Sequence, residues 1–199
     1  MTEAPTPEAG PALVASASQT AGPYWHLVDF PEWADATRHF AGTPLPGERI
    51  VLSGRMTDGA GDPVTDAMVE IWHAGPQGTY PDPEGPAEAF QGFGRCATDH
   101  EGRFRFVTLK PGPVPLGGDA RANARQAPHV ALTVFARGLL IHLSTRLYFE
   151  GEPLNETDPV LRAVEPARRG TLLARETAPG TWSLDLRLQG ENETVWMAV

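Results

Sequence analysis

A single cysteine, Cys96, stands among 199 residues. No disulfide can form within the chain, which fits a reducing compartment and points to the cytoplasm. No run approaches the ~18 apolar residues of a membrane-spanning helix. The N-terminus lacks a basic segment followed by an apolar one, so no secretory signal is expected. Basic residues are short as well: Lys and Arg number 16 against 25 Asp and Glu, for a net charge of −9. Without a basic stripe to meet phosphates, a nucleic-acid partner is not expected. The acidity speaks for solubility and little else. Arg162, Arg168, Arg169 and Arg175 are a local exception and read as a solvated helix face. There is no Gly-x-Ser-x-Gly elbow, phosphate loop, dinucleotide fingerprint or Cys-x-x-Cys pair. The common nucleophile, nucleotide and zinc chemistries therefore have no motif behind them.

What the chain does have is turns. Gly 21 and Pro 20 are spread along it, with 41% hydrophobic residues between them, a composition suited to many short strands. Residues 1–18 are rich in Ala, Pro, Thr and Glu with no apolar period, and are expected to form a flexible tail. An extended N-terminal arm follows at Gln19-Thr20-Ala21-Gly22-Pro23-Tyr24-Trp25, opening a single domain over 19–199. Strands are expected at Ile50–Met56, Ala67–His73, Arg103–Thr108, His129–Phe135, Leu139–Phe149, Trp182–Leu188 and Thr194–Ala198. Short helices are expected from Asp158-Pro159 through Val164, around Arg169–Ala174 and within Pro31–His39. The fold class is all-β: a two-sheet β-sandwich with short peripheral helices.

The reactive inventory is six histidines and three tyrosines. Residues two apart on a strand share a face, so a His-x-His pair would aim two imidazoles at one metal. Here His129 is followed at that spacing by Ala131, which cannot ligate. A lone strand histidine is ordinarily a hydrogen-bonded structural residue. His142 lies on the next strand, on a polar face with Ser144, Arg146 and Tyr148 that suits either solvent or a subunit interface. The prolines of Lys110-Pro111-Gly112-Pro113-Val114-Pro115 aim a rigid loop, but the side chain it presents is Val114. Tyr24, Tyr80 and Tyr148 are far apart in sequence and read as packing residues. Arg137, in Ala136-Arg137-Gly138, reads by itself as a surface turn residue.

Several segments together resemble the intradiol ring-cleaving dioxygenases. They are Ser18–Tyr24, Val69-Glu70-Ile71-Trp72, Phe93-Gly94-Arg95, Lys110-Pro111-Gly112, Ala127-Pro128-His129 and Phe135-Ala136-Arg137-Gly138. Ile141-His142-Leu143, Thr145–Phe149, Gln189-Gly190-Glu191 and Glu193-Thr194-Val195 complete the set. The resemblance covers roughly residues 18–199. It implies ferric iron held by two tyrosines and two histidines in the iron-bearing chain of the family. Its His-x-His pair falls at His129 and Ala131 here. One of its tyrosines falls at Val114; the place of the other falls near Tyr80, which is not counted as its equivalent. Ferric catecholate chemistry needs anionic oxygen donors, and valine and alanine supply none.

The resemblance therefore implies a division of labour. A homologous beta subunit carries the iron, and this chain binds no metal and no cofactor of its own. The two assemble as an αβ multimer acting on a small aromatic acid. Thr20, Gly22 and Pro23 line the wall of the partner's substrate pocket, and Arg137 sits near the substrate carboxylate, a role that suits a permanently charged guanidinium. His129, Ala131 and Val114 are a vestigial metal site. Two other readings stay open. One is a stand-alone iron dioxygenase using His129, His142, Tyr80 and Tyr148. The other is a transthyretin-like sandwich acting as a non-enzymatic binding or structural module.

Overall fold

Alternating burial is the first consequence of the sequence pattern. In β1 (Arg49–Thr57), Ile50, Leu52 and Met56 are buried while Arg49 and Arg55 face outward, as a pleated strand requires. In the computed structural model, which describes residues 30–40, 44–82, 84–85, 89–116 and 125–198, ten further strands follow. They are β2 (Met68–Trp72), β3 (Phe93–Ala97), β4 (Arg103–Leu109), β5 (Val114–Pro115), β6 (Arg125–Gln126), β7 (His129–Phe135), β8 (Leu143–Phe149), β9 (Leu173–Ala178), β10 (Thr181–Ser183) and β11 (Leu186–Arg187). The tail over 1–18 and the arm with Thr20, Gly22 and Pro23 lie outside the described residues.

The fold is mostly β with few helices, as expected. Nine strands form one hydrogen-bonded path, β11-β1-β10-β9-β8-β7-β2-β3, with β4 joined to β1. β9 is the link: its first residues run parallel to β8, through Tyr148↔Leu173 and Phe149↔Ala174, and its last run antiparallel to β10. The path bends far enough for β3 to touch β4, so the sheet nearly closes. Inside lie Ile50, Leu52, Ile71, Phe106, Val130, Leu132, Val134, Leu147, Phe149 and Trp182, each contributing about 1.5–3 kcal/mol by leaving water. Phe149 and Trp182 meet edge to face at 5.0 Å.

Expected and observed elements differ in instructive places. β7 has the expected bounds. β8 begins at Leu143, not Leu139, because the β7–β8 turn takes more residues than its Ala-Arg-Gly signal: Gly138 has φ +87°, and Leu140 and Ile141 stand exposed. The expected strand Trp182–Leu188 is split into β10 and β11. Its alternation survives, with Trp182, Leu184 and Leu186 buried. Thr194–Ala198 makes only an isolated bridge, Met197 to Ser144. The helix expected around Arg169–Ala174 is a 3-10 segment, Pro166–Leu172, leading straight into β9. Burial of Leu172 and Ala174 against the sheet outweighs the weak helical preference. Pro31–His39 holds two short 3-10 turns, Pro31–Ala34 and Arg38–Phe40. β3 carries no strand-like signal beyond Phe93 and forms because β2 supplies its partner. Among the described residues no helix is long and apolar enough to cross a membrane.

Candidate functional site

Asp158 builds the site from below. As N-cap of α1 (Pro159–Ala163), its Oδ1 accepts the backbone N–H groups of Val160 and Leu161 at 2.9 Å, which satisfies donors the helix start leaves open. The same Oδ1 accepts the Tyr148 hydroxyl at 3.1 Å, and Oδ2 accepts the Ala127 N–H at 2.9 Å. One buried carboxylate thus ties the helix to β8 and to the residue that leads into β7.

That tie aims His129. Its ring is 2% exposed and its Nδ1–H donates to the Ala127 carbonyl at 2.8 Å. Nε2 is left as the acceptor, and the Tyr80 hydroxyl stands 3.4 Å from it. Burial, and then the neighbouring positive charge of Arg146, lower the imidazole's pKa against the raising effect of the Ala127 bond. His129 is therefore a neutral, directed ring.

The register places Ala131 between Trp72 of β2 and Arg146 of β8 on one sheet face. Val114 pairs with Gln126, whose Oε1 accepts from Arg146 Nη1 at 2.8 Å. The Val114 loop is pinned tightly beneath: a Cβ on Gly112 would meet the Pro76 carbonyl oxygen at 2.1 Å, and one on Gly78, at φ +77°, the Pro113 oxygen at 2.0 Å. His129, Ala131 and the Val114 loop thus belong to one neighbourhood. Tyr80 belongs there too. Its expected role as a mere packing residue is incomplete, because sequence distance hides the fold that brings it to His129.

The neighbourhood does not fit ferric iron. Ala131 and Val114 offer no donor atom. Tyr148 is fully buried, and burial holds its hydroxyl far above the ordinary phenol range, against the lowering effect of the hydrogen bond from Arg146; it stays a protonated donor to Asp158. Only His129 and Tyr80 remain, and they face each other. No three His, Cys, Asp or Glu side chains among the described residues lie together so as to hold a metal.

The stand-alone reading with His129, His142, Tyr80 and Tyr148 fails on distance. His142 lies past the far end of β7, where it stacks on Phe135 at 5.7 Å. Six strand residues at about 3.4 Å each put it ~20 Å from His129. Arg137 shares that far end. It is 83% exposed and its Nε lies 2.9 Å from Asp66 Oδ2. It lies at the opposite end of β7 from His129 in its own chain and projects outward. Thr20, Gly22 and Pro23 lie outside the described residues.

Sequence reasoning passed over Trp72, Gln126 and Asp158 as site-forming residues and saw Arg146 only as part of a polar face. His73 was missed altogether. Wholly buried, it donates Nδ1–H to the Ala74 carbonyl and accepts the Thr108 hydroxyl at Nε2, both at 2.8 Å. The helix-cap signature of Asp158 was legible. Its reach to Ala127 and Tyr148 was not, since nothing local encodes it.

Residues 20–190 match a protein-family model described as Dioxygenase. The chain is similar to the protocatechuate 3,4-dioxygenase alpha chain of Pseudomonas putida, 41% identical over 197 residues, with 92% of this chain and 96% of that one covered. It is 37% identical over 165 residues to the protocatechuate 3,4-dioxygenase beta chain of Burkholderia cepacia, covering 77% and 69%. Among solved structures it resembles the dioxygenase domain of a carbohydrate-binding fusion protein from Streptomyces sp. SirexAA-E, with a TM-score of 0.59, 27% identity, and 90% and 98% covered.

Proposed function

The chain belongs to the dioxygenase family, and from that premise we infer that it acts as the alpha subunit of a protocatechuate 3,4-dioxygenase. The assembly adds both atoms of O2 to protocatechuate, giving 3-carboxy-cis,cis-muconate. The observation that carries this reading is the loss of donor atoms at Ala131 and Val114, within a chain similar to both subunit types. Ferric iron and its ligands then belong to a homologous beta subunit in an αβ multimer in the cytoplasm. This chain supplies pocket wall and charge. Thr20, Gly22 and Pro23 of the arm line the partner's substrate pocket, where a glycine permits close approach of a flat ring. Arg137, exposed at a hairpin tip remote from its own chain's hollow, reaches the substrate carboxylate. The bent sheet serves as the two-layered sandwich core of a single domain.

The test is to prepare the chain with and without its beta partner and to measure iron content and ring cleavage. The expected result is a colourless, iron-free, inactive chain that forms an active, red complex with beta. Stoichiometric ferric iron and ring cleavage in the isolated chain would overturn the reading. The transthyretin-like alternative is displaced by the family match.

A further inference from the structure

The place where Ala131 stands is a hollow with its own chemistry. Across the sheet face the order is Trp72, Ala131, Arg146. Adjacent strands lie about 4.8 Å apart, so an indole and a guanidinium rise on either side of a single methyl group. The hollow opens outward: Ala131 is only half-buried, and Trp72 and Tyr80 are 41% and 38% exposed. The Trp72 and Tyr80 rings stack at 6.0 Å and 16°, making one continuous apolar wall. His129 and the Tyr80 hydroxyl close one end.

Arg146 is half-buried and has no carboxylate partner among the described residues. Its Nη1 donates to Gln126 Oε1 at 2.8 Å and, at 3.5 Å, toward the Tyr148 hydroxyl. Both acceptors are neutral. The nearby acids are engaged elsewhere: Asp158 caps α1 and accepts from Tyr148 and Ala127, and Glu70 is paired with Arg95. Asp158 reaches Arg146 only through the Tyr148 hydroxyl, so the guanidinium keeps N–H donors that no carboxylate meets directly, and an anion entering the hollow would accept them. A guanidinium binds a planar carboxylate through two parallel N–H donors.

We propose that this hollow is a ligand site for a small aromatic carboxylate, with the carboxylate on Arg146 and the ring over Ala131 against Trp72 and Tyr80. The alanine that offers no metal ligand also leaves only a methyl group between Trp72 and Arg146. The site is built from this chain's own residues.

The test is calorimetric titration of the assembled complex with benzoate, which has no catechol hydroxyls to be cleaved. The wild-type complex is expected to take up one more benzoate per αβ pair than Arg146→Gln, with iron content, melting temperature and ring-cleavage kinetics alike in the two. Ala131→Leu, which keeps the charge and fills the hollow, is expected to lose the same site, so the test stands even if the arginine variant folds poorly. Uncharged benzamide is expected to bind at least tenfold more weakly at this site. Equal stoichiometry and affinity in wild type and both variants, or equal binding of benzamide, would overturn the proposal.

Discussion

Asp158 accepts the phenolic hydrogen of Tyr148 at 3.1 Å, and the pair holds the first turn of α1 against β8 beside the entry to β7. Four donors converge on this one buried carboxylate. Asp158→Ala leaves them without an acceptor. A lost cap costs about 1 kcal/mol, and each stranded buried donor about 1–3 kcal/mol. The expected loss is therefore at least ~3 kcal/mol of unfolding free energy in urea titration. Tyr148→Phe removes the bond to Asp158 and the long contact from Arg146, and is expected to cost about 1–2 kcal/mol.

Arg137 is expected to matter to catalysis and not to folding. Its pair with Asp66 is mostly exposed, and such pairs contribute less than about 1 kcal/mol. In the reconstituted complex, Arg137→Ala should raise the apparent KM for protocatechuate several-fold while iron content and melting temperature hold. Unchanged kinetics would remove Arg137 from the substrate pocket.

His73 makes the fold sensitive to acid. Burial lowers its pKa from 6.5 to about 4, against the raising effect of its bond to Ala74. Above pH 6.5 the ring is neutral in both folded and unfolded chains. Between pH 6.5 and 4 the unfolded chain takes up a proton that the folded chain refuses, so stability falls as pH falls through that window. A gap of 2.5 units corresponds to a loss on the order of 3 kcal/mol. His73→Gln, whatever its own cost at pH 7, is expected to show a flatter dependence of unfolding free energy over the same range. A slope identical to wild type would argue against a neutral buried His73.

Gly54 tests how tightly β1 seats against the segment joining β10 and β11. A Cβ there would meet the Leu184 carbonyl oxygen at 1.9 Å. Gly54→Ala must shift backbone, and is expected to cost at least ~2 kcal/mol, measured by thermal or urea unfolding.

The strand pattern was legible wherever alternation was strong. β1, β4 and β7 follow from apolar residues at spacing two, and the start of α1 follows from Asp158-Pro159. β3 and β9 were not legible, because each is defined by a neighbour: β3 by pairing with β2, β9 by bridging β8 and β10. At the site, the missing donors at Ala131 and Val114 were readable from residue type alone. The presence of Arg146 beside Ala131 was not, because register is a property of two strands and one strand's sequence does not contain it.

Sequence by itself determined the chemistry this chain lacks: alanine and valine carry no ligand atom in any fold, and one cysteine cannot close a disulfide. It also determined the all-β character, since a period of two commits a strand to one buried face. Tertiary structure alone decided which groups meet. It brought Tyr80 to His129 from 49 residues away, set a guanidinium across from the empty alanine position, and sent Arg137 and His142 to the opposite end of the hairpin. Such contacts depend on strand register and sheet bending, which long-range burial selects only once the whole core has assembled.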